Sequence, residues 1–203
     1  GFERPNLSFT VTAVEKVAQK YARLQKVLKA HKTGIVYCAT RKKVDEVAET
    51  IHSWGLKCVA YHGGMSDQER EDTQNTFISK KADIAVATNA FGMGIDRSDV
   101  RFVVHFEIPG SVEAYYQEAG RAGRDGEAAF CELLFNYADT RTQEFFIDGV
   151  NPGAGMIRDV YQYFLNHADE NFETHETLDQ IKEAIGAKNG MAIGAALGSL
   201  LRG

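Results

Sequence analysis

Between Gly34 and Phe135 this chain alternates two kinds of segment, and that alternation constrains its fold more than any other feature. Short apolar runs at 35–38, 56–61, 82–88, 101–107 and 128–135 are separated by stretches with helix signals. Runs of this length read as strands, and parallel strands need a long crossover between them, usually a helix. The expected fold is therefore α/β, a doubly wound parallel sheet. The helix signals are local. Thr40 can cap a helix whose apolar face is Val44, Val47, Ala48 and Ile51, with Gly55 ending it. Ser66-Asp-Gln-Glu69 is a capping box opening a helix to about Ser79, and 111–119 reads as another helix.

The flanks read differently. Residues 1–11 form an extended lead-in. Thr12-Ala-Val-Glu15 reads as a capping box, with Val14, Val17, Tyr21, Leu24 and Leu28 as a helical stripe to about His31; Lys16, Lys20 and Lys26 lie off it. Past Asn136 only helical patterns remain. One spans 139–147, and a turn follows at Asn151-Pro152-Gly153. Then come three amphipathic segments, around Ile157–Leu165, 178–185 (capped by Thr177) and 191–201. The short turn at 186–190 gives the last two a helix-turn-helix order. The expected division is 1–148 for the sheet domain and 149–203 for a small all-helical appendage. That tail carries few basic residues, so a groove-reading role and a purely structural one both stay open.

Composition excludes little but orients the search. A hydrophobic content of 44% and a charged content of 25% suit a soluble globular protein, and a net charge of −5 argues against a nucleic-acid coat protein. The charge is uneven: residues 1–45 hold ten Lys/Arg against three Asp/Glu. Such a stretch can face phosphates or form the solvated side of a helix. The apolar runs are far short of a membrane span and no charged-then-apolar leader opens the chain, which favours a cytoplasmic protein without a membrane partner. Gly1-Phe2-Glu3 looks like the cut end of a longer protein. Cys38, Cys58 and Cys131 fall in apolar runs with no Cys-x-x-Cys, so buried free thiols and no zinc are expected.

Ligands of doubly wound sheets meet the loops leaving the carboxyl ends of the strands, here starting at Thr40, His62, Thr88 and Glu107. Beyond them lies Tyr115-Tyr-Gln-Glu-Ala-Gly-Arg-Ala-Gly-Arg-Asp-Gly126, with Arg121 and Arg124 three residues apart among glycines. Arginine carries a permanent charge and a rigid donor fork suited to phosphate oxygens. Taken alone, the segment is equally readable as a glycine-rich surface turn with solvated arginines. The chain has no Gly-x-x-x-x-Gly-Lys-Ser/Thr, no acidic pair after a strand for magnesium, and no third glycine at 97 to extend the Gly-x-Gly at 92–94. It can supply arginines to a triphosphate but lacks the means to bind and activate one alone.

Four ordered strings then become specific: Gly34-Ile-Val-Tyr-Cys-Ala-Thr-Arg41, Tyr61-His-Gly-Gly-Met65, Ala87-Thr-Asn-Ala-Phe-Gly-Met-Gly-Ile-Asp96 and Gln117-Glu-Ala-Gly-Arg-Ala-Gly-Arg-Asp-Gly126. Over residues 2–140 the chain resembles the second RecA-like motor domain of superfamily 2 helicases, most closely the RecQ DNA helicases. Asp99-Val-Arg-Phe-Val-Val-His105 and Tyr115-Tyr116 fit the same group, and Phe2-Glu-Arg-Pro-Asn-Leu7 resembles the join from a first motor domain. Two features depart from it: Asn89 and Ser98 stand where an apolar residue and a proline are expected, and a four-cysteine zinc module is missing. A shorter subgroup with a truncated winged helix as its tail would fit.

The resemblance implies an ATP-dependent DNA helicase in which ATP and Mg²⁺ sit between two motor domains, the phosphate loop belonging to the N-terminal motor domain missing here. Arg121 and Arg124 match the arginines that reach the triphosphate, Arg124 being the chosen finger. Gln117, Gly94 and Asp96 would line the nucleotide side. Thr40, Arg41, His62, Gly63 and Thr88 would grip the backbone of single-stranded DNA or of duplex junctions, as in DNA repair and recombination. The competing readings are an RNA or remodelling motor of the same fold, and a non-catalytic nucleic-acid-binding module.

Overall fold

The computed structural model describes residues 4–91, 95–140, 152–167, 177–187 and 190–200. The chain divides into two compact units, Gly1–Thr140 and Arg141–Gly203. The first unit contains β1 (Leu7–Ala13), α1 (Val17–His31), β2 (Gly34–Tyr37), α2 (Arg41–Ser53), β3 (Cys58–Tyr61), α3 (Asp67–Ile78), β4 (Ile84–Ala87), β5 (Phe102–His105), α4 (Val112–Ala119) and β6 (Ala129–Phe135). The six strands form one sheet in the order β1-β6-β5-β2-β4-β3, and every neighbouring pair is parallel.

The central strands β2, β4 and β5 are buried on both faces, which is why they read as unbroken apolar runs. Successive side chains alternate between two cores. Val36, Val86 and Val104 pack with Leu24, Val44 and Ile51 of α1 and α2 on one face. Ile35, Tyr37, Ala85 and Val103 pack with Phe77 of α3 and Ala119 of α4 on the other. The caps follow the sequence: Thr40 Oγ1 accepts from Lys43 N at 3.2 Å, Ser66 and Glu69 form a reciprocal box, and Gly55 takes φ 77° behind α2.

Two expectations at the amino end are overturned. Residues 7–13 are a strand, not a lead-in running into a helix, and they pair with β6 from Leu7↔Ala129 to Ala13↔Phe135. Leu7, Phe9, Val11 and Ala13 alternate with polar residues at period two, which is the strand signal. Thr12 caps nothing; its hydroxyl donates to Glu132 Oε1 at 2.5 Å. The helix starts at Val17, where Gln19 Oε1 accepts from the backbone of Glu15 and Lys16, each at 2.9 Å.

The stripe on α1 is also rotated. Lys20 is buried while Val17 is half exposed. The lysine stem lies in the core and its Nζ is satisfied at 2.5 Å by both the Phe106 carbonyl and Asp139, so a charged residue occupies an inward position.

The described residues of the second unit are helical: α5 (Ala154–His167), α6 (Leu178–Ala184) and α7 (Gly190–Leu200). They share a core of Val160, Tyr163, Ile181, Ile193 and Ala196. Thr177 caps α6 by accepting from Gln180 N at 3.3 Å. The helix expected at 139–147 lies mostly outside the described residues.

Candidate functional site

The arginine segment is a short loop between α4 and β6. Ser111 Oγ caps the start of α4, accepting from Ala114 N at 3.1 Å, and Gly120 ends it. Gly123 (φ 56°) and Gly126 (φ 87°) take left-handed conformations that other residues rarely adopt. The loop is anchored to the segment before β5: Gly123 N donates to Val100 O at 2.8 Å, and Arg101 Nη2 donates to both Asp125 oxygens at 2.5 and 2.6 Å. That pairing with Arg101 holds the Asp125 carboxyl below the usual carboxylate range. The loop therefore does not leave the carboxyl end of a strand; it precedes β6 and is fixed to residues that precede β5.

The two arginines share a neighbour that sequence reasoning missed. Tyr37, the last residue of β2, donates its buried hydroxyl to Phe91 O at 3.0 Å. Burial pushes that hydroxyl's pKa up, while the charges of Arg121 and Arg124 and a hydrogen bond with Arg121 pull it down. Arg124 itself is exposed and its Nη1 donates to Ile95 O at 3.2 Å, beside Asp96. Asp96 is exposed because the next residue is pinned: Arg97 is buried and donates from Nη1 to Phe77 O and Ala82 O, both at 2.8 Å. Gln117 is exposed on α4. Gly94 lies outside the described residues.

Beneath this loop, Glu118 is buried and accepts from His105 Nε2 at 2.7 Å, while the His105 ring stacks on Tyr37 at 5.4 Å between centroids. Neither partner was singled out by sequence, because a polar pair thirteen positions apart joins two different elements.

The second group gathers at the carboxyl ends of β2, β3 and β4. Arg41, exposed at the first turn of α2, lies across the backbone of Gly63 and Gly64: a Cβ on Gly64 would meet Arg41 Cδ at 3.1 Å. His62 Nδ1 accepts from Gly64 N at 3.2 Å, so its Nε2 faces Asp45 Oδ1 of α2, also at 3.2 Å, as the donor. Thr40 is committed as a helix cap and Thr88 is buried, its N–H donating to Tyr61 O at 3.1 Å. The geometry thus joins Arg41, His62 and Gly63 directly, with Thr40 and Thr88 at the adjoining strand ends. Phe91 O accepts from Tyr37, and Ile95 O accepts from Arg124.

All three cysteines are buried and unpaired, and burial pushes the Cys58 and Cys131 thiols up to about 12. Among the described residues no group of three or more His, Cys, Asp or Glu side chains could hold a metal ion, and no helix is long and apolar enough to cross a membrane.

Residues 19–126 match the helicase conserved C-terminal domain family. Over 151 residues the chain is 44% identical to the ATP-dependent DNA helicase RecQ of Bacillus subtilis, an alignment covering 73% of this chain and 25% of that protein. This chain carries the conserved C-terminal helicase domain of the RecQ-like helicases. A RecQ-like DNA helicase of Caenorhabditis elegans is 42% identical over 146 residues, covering 72% of this chain and 14% of that one. The chain thus spans a quarter or less of the length of these relatives. Among solved structures, a DEAD box protein from the hyperthermophile Methanococcus jannaschii superposes with a TM-score of 0.60 at 27% identity, covering 71% of this chain and 40% of that one. The parallel RecA-like sheet of this helicase domain is the shared part.

Proposed function

We propose that this helicase domain is the C-terminal motor half of an ATP-dependent DNA helicase. Arg121 and Arg124 face the triphosphate of an ATP held with Mg²⁺ by a preceding motor domain, and Arg41, His62 and Gly63, flanked by Thr40 and Thr88, hold the single-strand backbone. The observation that carries this reading is that Arg121 and Arg124 lie on one glycine-bounded loop anchored to the segment before β5, with Arg124 exposed and tethered at Ile95. The donor set fits a polyphosphate: forked, permanently charged donors on an anchored loop. ATP would supply the transferring phosphoryl group. Arg124, exposed but tethered at Ile95, would neutralise charge developing on its oxygens, and catalysis in such transfers is largely positioning and electrostatics.

The test uses the full-length protein. Arg124→Ala is expected to lower nucleic-acid-stimulated ATP hydrolysis by on the order of 10³-fold or more, with nucleotide Kd held within a few-fold. Arg124→Lys should rescue little, since lysine lacks the fork. Near wild-type kcat in both variants refutes the reading. Unwinding of matched DNA and RNA duplexes by the same protein distinguishes a DNA motor from an RNA motor.

A further inference from the structure

The arginine loop is clamped by residues more than a hundred positions away. Arg4-Pro-Asn-Leu7 is a tight turn in which Leu7 N donates to Arg4 O at 3.1 Å, with proline at the position whose φ it pre-sets. The turn aims two side chains at the loop. Arg4 donates from Nη1 to Gly120 O at 3.2 Å, and from Nη2 to Ala122 O at 2.7 Å and Gly123 O at 2.9 Å. Asn6 Nδ2 donates to Gly123 O at 2.8 Å and to Glu127 O at 2.9 Å. The turn is itself locked to the sheet, because Asn6 O accepts from Ala129 N at 2.9 Å as β1 begins.

The chemistry of these acceptors explains the arrangement. Carbonyls at and just beyond the end of α4 have no partner further along the helix, and a cation there also meets the negative end of the helix dipole. Arg4 therefore makes charge-assisted bonds to carbonyls at and beyond this helix end, of which Gly123 O also accepts from Gly126 N at 3.0 Å. Two of the three carbonyls have a particular position. Gly120 O belongs to the peptide plane directly before Arg121, and Gly123 O to the plane directly before Arg124. Fixing those planes fixes the Cα position and direction from which each arginine projects.

We propose that Arg4, assisted by Asn6, is a positioning residue that sets the aim of Arg121 and Arg124 through the Gly120 and Gly123 carbonyls. This rests on the reading that those arginines act on a triphosphate. Arg4 touches no reacting group; it acts through the loop. A misplacement of the order of 1 Å in a catalytic group costs about 10²-fold in rate. In the full-length protein, Arg4→Ala is accordingly expected to lower kcat by that factor while leaving nucleotide Kd within a few-fold. Arg4→Lys recovers little, because a point charge cannot fork onto three carbonyls. In an Arg121→Ala/Arg124→Ala background, Arg4→Ala adds almost nothing, since a misaimed arginine and an absent one are the same loss. Amide exchange on the same proteins separates aim from unfolding: Gly123 and Gly126 should exchange faster in Arg4→Ala while Val103 and Val104 of β5 stay protected. Unchanged kcat in Arg4→Ala, alongside a collapse in Arg124→Ala, overturns this inference and leaves the proposed function standing. Loss of protection throughout β5 also overturns it, by making Arg4 a general stabiliser. Unchanged kcat in Arg124→Ala itself removes the proposed function, and this inference with it.

Discussion

Gly123 and Gly126 both sit at positive φ in the same loop, yet alanine at the two positions should behave differently. Each substitution forces an L-residue into the left-handed region, at about 1–2 kcal/mol. At Gly126 that is the whole cost, because a Cβ there meets nothing within 4 Å. At Gly123 a Cβ would lie 2.5 Å from Asn6 Nδ2 and 2.7 Å from Glu127 O, with Ala129 Cβ at 3.1 Å. Real contacts do not approach so closely, so Asn6 must withdraw from both of its carbonyl partners. Each such bond contributes about 1 kcal/mol net. The expected cost is therefore about 3–4 kcal/mol for Gly123→Ala against about 1–2 kcal/mol for Gly126→Ala. Urea unfolding followed by tryptophan fluorescence suits the measurement, since the single tryptophan, Trp54, belongs to the sheet unit. Equal costs for the two variants, to within about 0.5 kcal/mol, would refute the claim that the Arg4–Asn6 turn crowds the loop at Gly123.

Three further outcomes follow from particular contacts. Lys20→Ala should destabilise the sheet unit by about 3–5 kcal/mol in the same urea assay, because it leaves the largely buried Asp139 without its cation; a cost near zero would mean the pair is solvated. Glu107, half-buried and accepting from Ala39 N at 2.8 Å, has its carboxyl raised above the usual range by burial. Its stabilising contribution is complete below its unfolded-state pKa and is lost as pH rises through the raised folded-state value. Glu107→Gln should therefore gain on the wild type as pH rises through that window, and parallel stability–pH curves would contradict the assignment. The isolated chain should bind single-stranded DNA weakly and with steep salt dependence, and Arg41→Ala should reduce the log–log salt slope by about one; tight binding indifferent to salt would remove the backbone-grip reading.

The candidate site was legible wherever function depends on residues close in sequence. The loop glycines at 123 and 126, the Arg121–Arg124 spacing and the His62-Gly-Gly turn are local, and their chemistry can be named from residue type alone. Their supports were not legible. Tyr37 looked like one more apolar strand residue, and its hydroxyl became visible only when β2 was set beside residues 88–91 and the loop after α4. Arg4 and Asn6 looked like a polar lead-in, since their partners lie 116 to 121 positions away.

The same division holds for the fold. Strand length and helix capping are short-range effects, so the β-α order, the Thr40 and Ser66 caps and the burial of the central runs were determined by sequence alone. Three things were decided by tertiary packing. The strand order β1-β6-β5-β2-β4-β3 is one, because periodicity says that a strand exists but not which neighbour it pairs with. The identity of β1 is another: its period-two pattern competed with a Thr-x-x-Glu capping signal, and pairing along the whole edge of β6 settled the contest. The inward position of Lys20 is the third. A lysine reads as solvent-facing until a carbonyl and a carboxylate from distant segments converge on its ammonium, and only the folded chain brings Phe106 and Asp139 there.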